Sequence, residues 1–183
     1  MDGEIHVREA TPEDARAISE VQVAGWRSAY RGIVPDAMLD ELDVEAGAER
    51  RRQGMLRGAA RGVVNHVLEL DGRIVAWAAS GPWRGVEDHE VPGLFELYAI
   101  YVEPSRIGTG LGRRLWLAVL EGLPARGAER LRLWTFVENA RARRFYERAG
   151  FHEDPTVPRE QHEDTGALKL CYVRALPDVG PHK

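Results

Sequence analysis

The chain has 183 residues, 44% of them hydrophobic and 30% charged, with a formal net charge of −4; this is the balance of one globular domain with its own core, and the negative sign argues against a protein that grips nucleic acid by neutralising phosphates. A single cysteine, Cys171, excludes an internal disulfide and suits a reducing compartment. No charged-then-apolar leader opens the sequence and no apolar run reaches membrane-spanning length, so one domain over residues 1–183, cytoplasmic and off the membrane, is expected.

Ile5 to Arg8 reads as a short strand. Thr11-Pro12-Glu13-Asp14 opens a helix through a hydroxyl cap, a first-turn proline and early acids, and Ala15, Ile18, Val21 and Gln22 continue it. Trp26 to Pro35 is aromatic-rich and broken by Gly32 and Pro35, and Glu41 to Met55 reads as a charged helix. Val63 to Leu70 and Arg73 to Ser80 flank Asp71-Gly72, the pair most suited to a tight hairpin. Pro82 to Gly93 is a loop of mixed charge whose Glu87, Asp88, His89 and Glu90 are either simply solvated or placed to meet a cation.

A strand starts at Leu94 and runs to Val102, with Glu96 as an acid in an otherwise apolar stretch. Alternation would put Glu96, Tyr98, Ile100 and Val102 on one face. Pro104 ends the strand, and Gly108, Gly110 and Gly112 follow at every second position, ahead of Leu111, Leu115 and Ala118 at helical spacing. Strand, glycine loop and helix start are either a plain glycine-rich turn that binds nothing or an anion site: the glycines let backbone approach a ligand, and the free N–H groups of the first helical turn point outward with the positive end of the dipole. A phosphate or pyrophosphate is the natural occupant. A nucleoside-triphosphate loop is disfavoured, because Arg113 and Arg114 rather than Lys and a hydroxyl follow the last glycine, and a nucleotide-binding module would rest on the three glycines alone. A nicotinamide dinucleotide is disfavoured too: the spacing is GxGxG, in mid-chain, with no acid at a strand end near Arg130.

Leu131 to Val137 alternates like a strand, Asn139 can cap the next helix, and Ala142, Phe145, Tyr146 and Ala149 share one helical face before Gly150 ends it. Between Phe151 and Ala167 the chain turns polar and carries His-Glu-Asp twice, at His152 to Asp154 and His162 to Asp164; neither forms a closed ligand set, and no metal is expected. Ala167 to Arg174 is a last strand holding Cys171 as a buried structural thiol, and a frayed tail is expected from about Leu176.

Two segments carry a family resemblance. Tyr101-Val102-Glu103-Pro104-Ser105-Arg106-Ile107-Gly108-Thr109-Gly110-Leu111-Gly112 resembles the acetyl-CoA signature of the GNAT superfamily of N-acetyltransferases, in which Val-x-Pro leads to Gln or Arg and then Gly-x-Gly-x-Gly or Ala. The Gln or Arg position is Ile107 here, and Arg106, Arg113 or Arg114 would supply the missing charge. Leu131 to Phe151 is similar to the family's next strand and helix, with Asn-x-x-Ala-x-x-Phe-Tyr-x-x-x-Gly-Phe intact, and Ile5 to Val21 is similar to its first strand and helix. The resemblance spans about residues 4 to 175.

It implies an α+β fold: a central mixed, mostly antiparallel sheet of about seven strands flanked by helices, splayed where the signature strand meets the next. It implies acetyl transfer from acetyl-CoA to a primary amine of a small molecule or a protein, by direct attack. Cofactor contacts would come from Ile100, Tyr101, Val102, Ile107, Gly108, Thr109, Gly110, Leu111, Gly112, Arg113, Asn139 and Tyr146. Tyr146 matches the family tyrosine that protonates the CoA thiolate, a backbone N–H near Ile100 would bind the carbonyl oxygen, and Glu96 falls where the family places a base; the competing reading of Glu96 is an acid at the strand's solvated end. Trp26 and Tyr30 are candidates for the acceptor pocket, or aromatics packed under a loop. Dimers are frequent in the family. The alternative function is an acyl-CoA-binding sensor of the same fold with little turnover.

Overall fold

Asp71 and Gly72 both take positive φ, 52° and 76°, which matches the right-handed twist of the strands they join. The hairpin predicted there pairs β2 (Val64–Leu70) with β3 (Arg73–Pro82). The computed structural model describes residues 3–85 and 91–177. Around this hairpin lie β1 (Ile5–Glu9), β4 (Leu94–Val102), β5 (Arg130–Phe136), β6 (His152–Glu153), β7 (Glu160–Gln161) and β8 (Leu168–Ala175). They form one sheet in the order β1-β2-β3-β4-β5-β8-β6, with β7 also on β8. The helices are α1 (Ala15–Ala29), α2 (Asp36–Asp40), α3 (Val44–Ala59), α4 (Leu111–Gly122) and α5 (Ala140–Arg148).

Among the described strands only β4 and β5 pair in parallel, and their ladder is short: Leu94↔Arg130, Phe95↔Leu131 and Glu96↔Arg132. Beyond Glu96 the strands part, as the resemblance implies, and the β5-facing edge of β4 is left without a strand partner. Free backbone groups at such an edge must find water or a ligand.

On its other edge β4 carries a bulge. Ala79 pairs with Ala99 and Ser80 with Leu97, so Tyr98 is an extra residue. The bulge resets the pleat. Phe95, Leu97, Ile100 and Val102 all pack toward the core under α4, while Tyr98, Ala99 and Tyr101 pack toward α1 and α3. The predicted single face for Glu96, Tyr98, Ile100 and Val102 is therefore wrong, because the inserted residue switches Ile100 and Val102 to the opposite side.

The larger core sets Leu115, Trp116 and Val119 of α4 against Leu68, Ala76, Ala78, Leu131, Leu133 and Leu170 of the sheet. The smaller one sets Ile18 of α1 and Met55 of α3 against Val67, Trp77 and Ala79. Burying such side chains stabilises by about 1.5–3 kcal/mol each. α1 lies very close to β4: a Cβ on Gly25 would stand 2.7 Å from Cδ1 of Tyr101.

Several boundaries differ from the sequence reading. The helix expected from Glu41 starts at Val44, where Asp43 Oδ1 accepts the Ala46 N–H at 2.7 Å, and runs to Ala59. The short α2 was not anticipated. Leu176 is buried and its N–H donates to the Glu129 carbonyl at 2.8 Å, so fraying does not begin there. Residues 178–183 and the acidic stretch Glu87, Asp88, His89 and Glu90 lie outside the described residues. Cys171 is buried, and burial pushes its thiol up to about 12, as suits a structural thiol. Of the first His-Glu-Asp run, Asp154 is buried against Arg132, Nε to Oδ2 2.8 Å. Among the described residues no helix is long and apolar enough to cross a membrane, and no His, Cys, Asp and Glu cluster could hold a metal ion.

Candidate active site

The gap between the parted ends of β4 and β5 is a cavity of about 810 Å³. One wall is the free edge of β4 from Leu97 to Val102, and another is the predicted face of α5, where Ala142, Phe145, Tyr146 and Ala149 all border the space. This face thus lines a cavity while Phe145, Tyr146 and Ala149 also pack on the core. Asn139, at the head of α5, borders it too, with Oδ1 accepting the Ala142 N–H at 3.1 Å.

The third wall is the glycine loop. Gly108 and Gly110 have φ of 88° and 87°, a left-handed conformation that favours glycine. Gly112 lies inside α4 and serves close packing instead: a Cβ there would meet Val102 Cγ2 at 3.3 Å. The Thr109 hydroxyl donates to the Arg106 carbonyl at 2.6 Å and so closes the loop, and the Leu111 side chain is buried in the core. Neither side chain lines the cavity, so of the predicted cofactor contacts these two can offer only backbone. Ile100, Tyr101, Val102, Ile107, Gly108, Gly110, Gly112, Arg113, Asn139 and Tyr146 do line it. Ile107 stands at the mouth, 40% exposed. Of the three arginines considered for the charge at this turn, Arg106 and Arg113 border the cavity and Arg114 does not; Arg106 is also tied to Glu103, Nε to Oε2 3.2 Å. Loop amides, helix start and arginines together make a polyanion cradle.

Deeper in, three tyrosines meet. The hydroxyls of Tyr30 and Tyr101 are 3.1 Å apart. Tyr30 packs edge-on against Trp26 and Phe136, with centroids 4.9 and 5.1 Å apart. Burial raises the phenol of Tyr146, with a smaller contribution from Tyr30, and burial likewise raises Tyr30 and Tyr101. A phenol raised in this way holds its proton at neutral pH and can donate it.

A second cavity, about 990 Å³, opens on the opposite side of β4, between α1, α3 and β3. Trp26, Trp77, Arg51 and Arg84 line it, and Tyr98 and Ala99 line both cavities. The bulge is the partition between them. Trp26 therefore belongs to the second cavity and Tyr30 to the first. Glu96, 5% exposed, borders neither. Its carboxylate accepts from Arg84 Nε at 3.2 Å, from an Arg84 terminal nitrogen at 2.9 Å and from the Arg84 N–H at 3.3 Å. The Arg84 guanidinium also covers the Tyr98 ring at 3.6 Å. Glu96 is thus not at a solvated strand end; it stands behind Arg84, which faces the second cavity. Sequence reasoning missed Arg84, Arg51 and the second cavity. A charged loop and a charged helix give no sign of which single residue turns inward.

The acetyltransferase (GNAT) family model matches residues 25–151. An uncharacterized N-acetyltransferase of Bacillus subtilis (strain 168), YuaI, is 31% identical over 135 residues, 74% of this chain and 73% of the relative. A probable N-acetyltransferase of Mycobacterium tuberculosis is 30% identical over 155 residues, 82% of this chain and 81% of that one. The fold is shared with PaiA N-acetyltransferase from Thermoplasma acidophilum, solved in complex with coenzyme A, at a TM-score of 0.74 and 17% identity over 94% of this chain and 99% of that one. With a family model spanning more than half of its length and such relatives covered over most of theirs, the chain belongs to the GNAT family of acyltransferases, whose cosubstrate is acetyl-CoA.

Proposed function

We propose that this acetyltransferase moves the acetyl group of acetyl-CoA directly to a primary amine of a small molecule or protein, with the thioester in the first cavity and the amine entering through the second. The observation that carries this reading is that Tyr98 and Ala99 form a wall of both cavities, so two ligands can meet at the bulge without either leaving its own space. Proximity of this kind converts a bimolecular step into an effectively unimolecular one.

The pyrophosphate of acetyl-CoA lies on the amides of Gly108 to Gly112, with Arg106 and Arg113 beside it. A free N–H of β4 near Ile100 donates to the carbonyl oxygen as charge builds on it. The amine lone pair attacks the carbonyl carbon; a C–N bond forms, the C–S bond breaks, the new amide nitrogen releases one proton to solvent, and the thiolate takes its proton from the Tyr146 phenol, which solvent then reprotonates. The acceptor arrives largely as ammonium, so one further proton must leave it before attack. Glu96 takes that proton once Arg84, whose side chain is 61% exposed, has moved aside.

Thiol release from acetyl-CoA with a set of primary amines tests both parts. Turnover should require an amine. Glu96→Gln should lower the rate by about 10²-fold at pH 7, and the deficit should shrink as pH rises and free amine becomes abundant. A deficit that stays the same at every pH would remove Glu96 from the proton path and leave it as the anchor of Arg84.

A further inference from the structure

Among the described residues, the second cavity holds a cation that no carboxylate balances. Arg51 of α3 lies over Trp77, Cζ 3.8 Å from the ring centroid. One terminal nitrogen donates to Gln22 Oε1, and its Nε is buried without a partner. No carboxylate among the described residues pairs with it. Asp43 is the acid among the described residues that borders this cavity, and its carboxylate is used at the head of α3. Desolvation accordingly lowers the Arg51 guanidinium to about 10. A half-buried charge without a counter-ion is costly to keep, and it is kept most readily where a ligand brings the opposite charge. Arg84 adds a second guanidinium to the same cavity, and Arg50, Arg57 and Arg61 stand exposed along its border, giving the approach a positive field.

We infer that the acceptor is an amine that also carries a carboxylate or phosphate, and that Arg51 on Trp77 receives this anionic group. The inference rests on the proposed entry of the amine through the second cavity. Its geometry also sets a rough length. Trp77 is two residues along β3 from Ala79, which pairs with Ala99 at the partition, or roughly 7 Å at 3.4 Å per residue. Amine and anion should therefore be separated by several bonds, as in ω-amino acids. An acceptor anion that also draws on Arg84 would uncover Glu96 at the moment a base is needed.

The test uses matched acceptors that differ only in the anion: 4-aminobutyrate against butylamine, 6-aminohexanoate against hexylamine, and phosphoethanolamine against ethanolamine. Wild type should favour the anionic member of at least one pair by on the order of 30- to 100-fold in kcat/KM, as for a buried hydrogen-bonded charge pair; the pair that shows it tells carboxylate from phosphate. Arg51→Met should abolish the preference and Arg51→Lys restore part of it, with KM for acetyl-CoA unchanged in both as a check on folding. Equal or better use of the neutral amines by wild type, or a preference that survives Arg51→Met, would overturn the inference while leaving amine acetylation standing. Calorimetric titration of 6-aminohexanoate and phosphoethanolamine onto the CoA-bound protein separates the two failures. Binding lost in Arg51→Met without acetylation of any amine supports the anion site and overturns the acetylation reading; neither binding nor acetylation overturns both.

Discussion

Tyr146→Phe is expected to lower kcat by about 10²- to 10⁴-fold, the usual contribution of a positioned proton donor, with the affinity for acetyl-CoA nearly intact. The ring does separate work from the hydroxyl. It packs edge-on against Phe145 and Phe151, with centroids 5.5 and 6.0 Å away, and tilted against Tyr172 at 6.4 Å; phenylalanine keeps all of these. What it loses is the proton for the departing sulfur. Because burial holds the phenol above its ordinary value, wild-type kcat should show no falling limb from this group up to about pH 10. Steady-state kinetics on the variant, with CoA affinity measured separately by calorimetry, decide the matter. A large affinity loss with kcat preserved would make Tyr146 a structural ring.

The largest stability effect should come from Arg132→Met. Arg132 and Asp154 are both buried, with side-chain exposures of 9% and 5%. Asp154 also accepts from the Thr156 N–H at 2.9 Å and hydroxyl at 2.6 Å. Removing the arginine leaves a buried carboxylate without its counter-charge, which costs about 3–5 kcal/mol. For a chain of this size that is a fall in Tm of roughly 6–20 °C. Arg132 closes the parallel ladder opposite Glu96, so the pair pins the point where β4 and β5 part, and acetyl-CoA should stabilise the variant less than wild type. The pH dependence has a definite sign. Burial raises the Asp154 carboxyl, but the Thr156 hydrogen bonds and Arg132 outweigh it and the net shift is downward. A carboxyl depressed in the folded state contributes stability above its unfolded value, about 4, and loses it as pH falls through the folded one. Wild type should therefore lose this contribution only below about pH 4. Thermal unfolding from pH 3 to 8 on both proteins checks this, and an unchanged midpoint in Arg132→Met at pH 7 would contradict it.

What could be read from the chain is what short-range pattern encodes. Asp71-Gly72 names its turn, the glycine loop names an anion site before any fold is known, and the spacing of Ala142, Phe145, Tyr146 and Ala149 identifies the side of α5 that matters, though as a cavity wall. The bulge at Tyr98 was invisible because the residues around it are apolar or aromatic on both sides of β4, so no polar marker records the shift in alternation. Arg51 was hidden in Arg50-Arg51-Arg52, a run that reads as a solvated helix face; at 100° per residue only the middle one turns onto Trp77. The Glu96–Arg84 and Arg132–Asp154 pairs join residues 12 and 22 positions apart, and charge alone gave no basis for choosing these partners among many others.

The transfer reaction requires acetyl-CoA in the splayed cavity, and thermal unfolding of the purified chain with acetyl-CoA, CoA, ATP and NAD in parallel tests that occupancy most directly. A ligand at 100 times its Kd stabilises by about 2.7 kcal/mol, which here corresponds to a rise in midpoint of about 5–10 °C. Acetyl-CoA and CoA should both give it, ATP and NAD neither. No shift with either CoA species would mean that the glycine loop with Ile107 at its mouth does not hold the pyrophosphate, and the transfer reaction built on that site would fall with it.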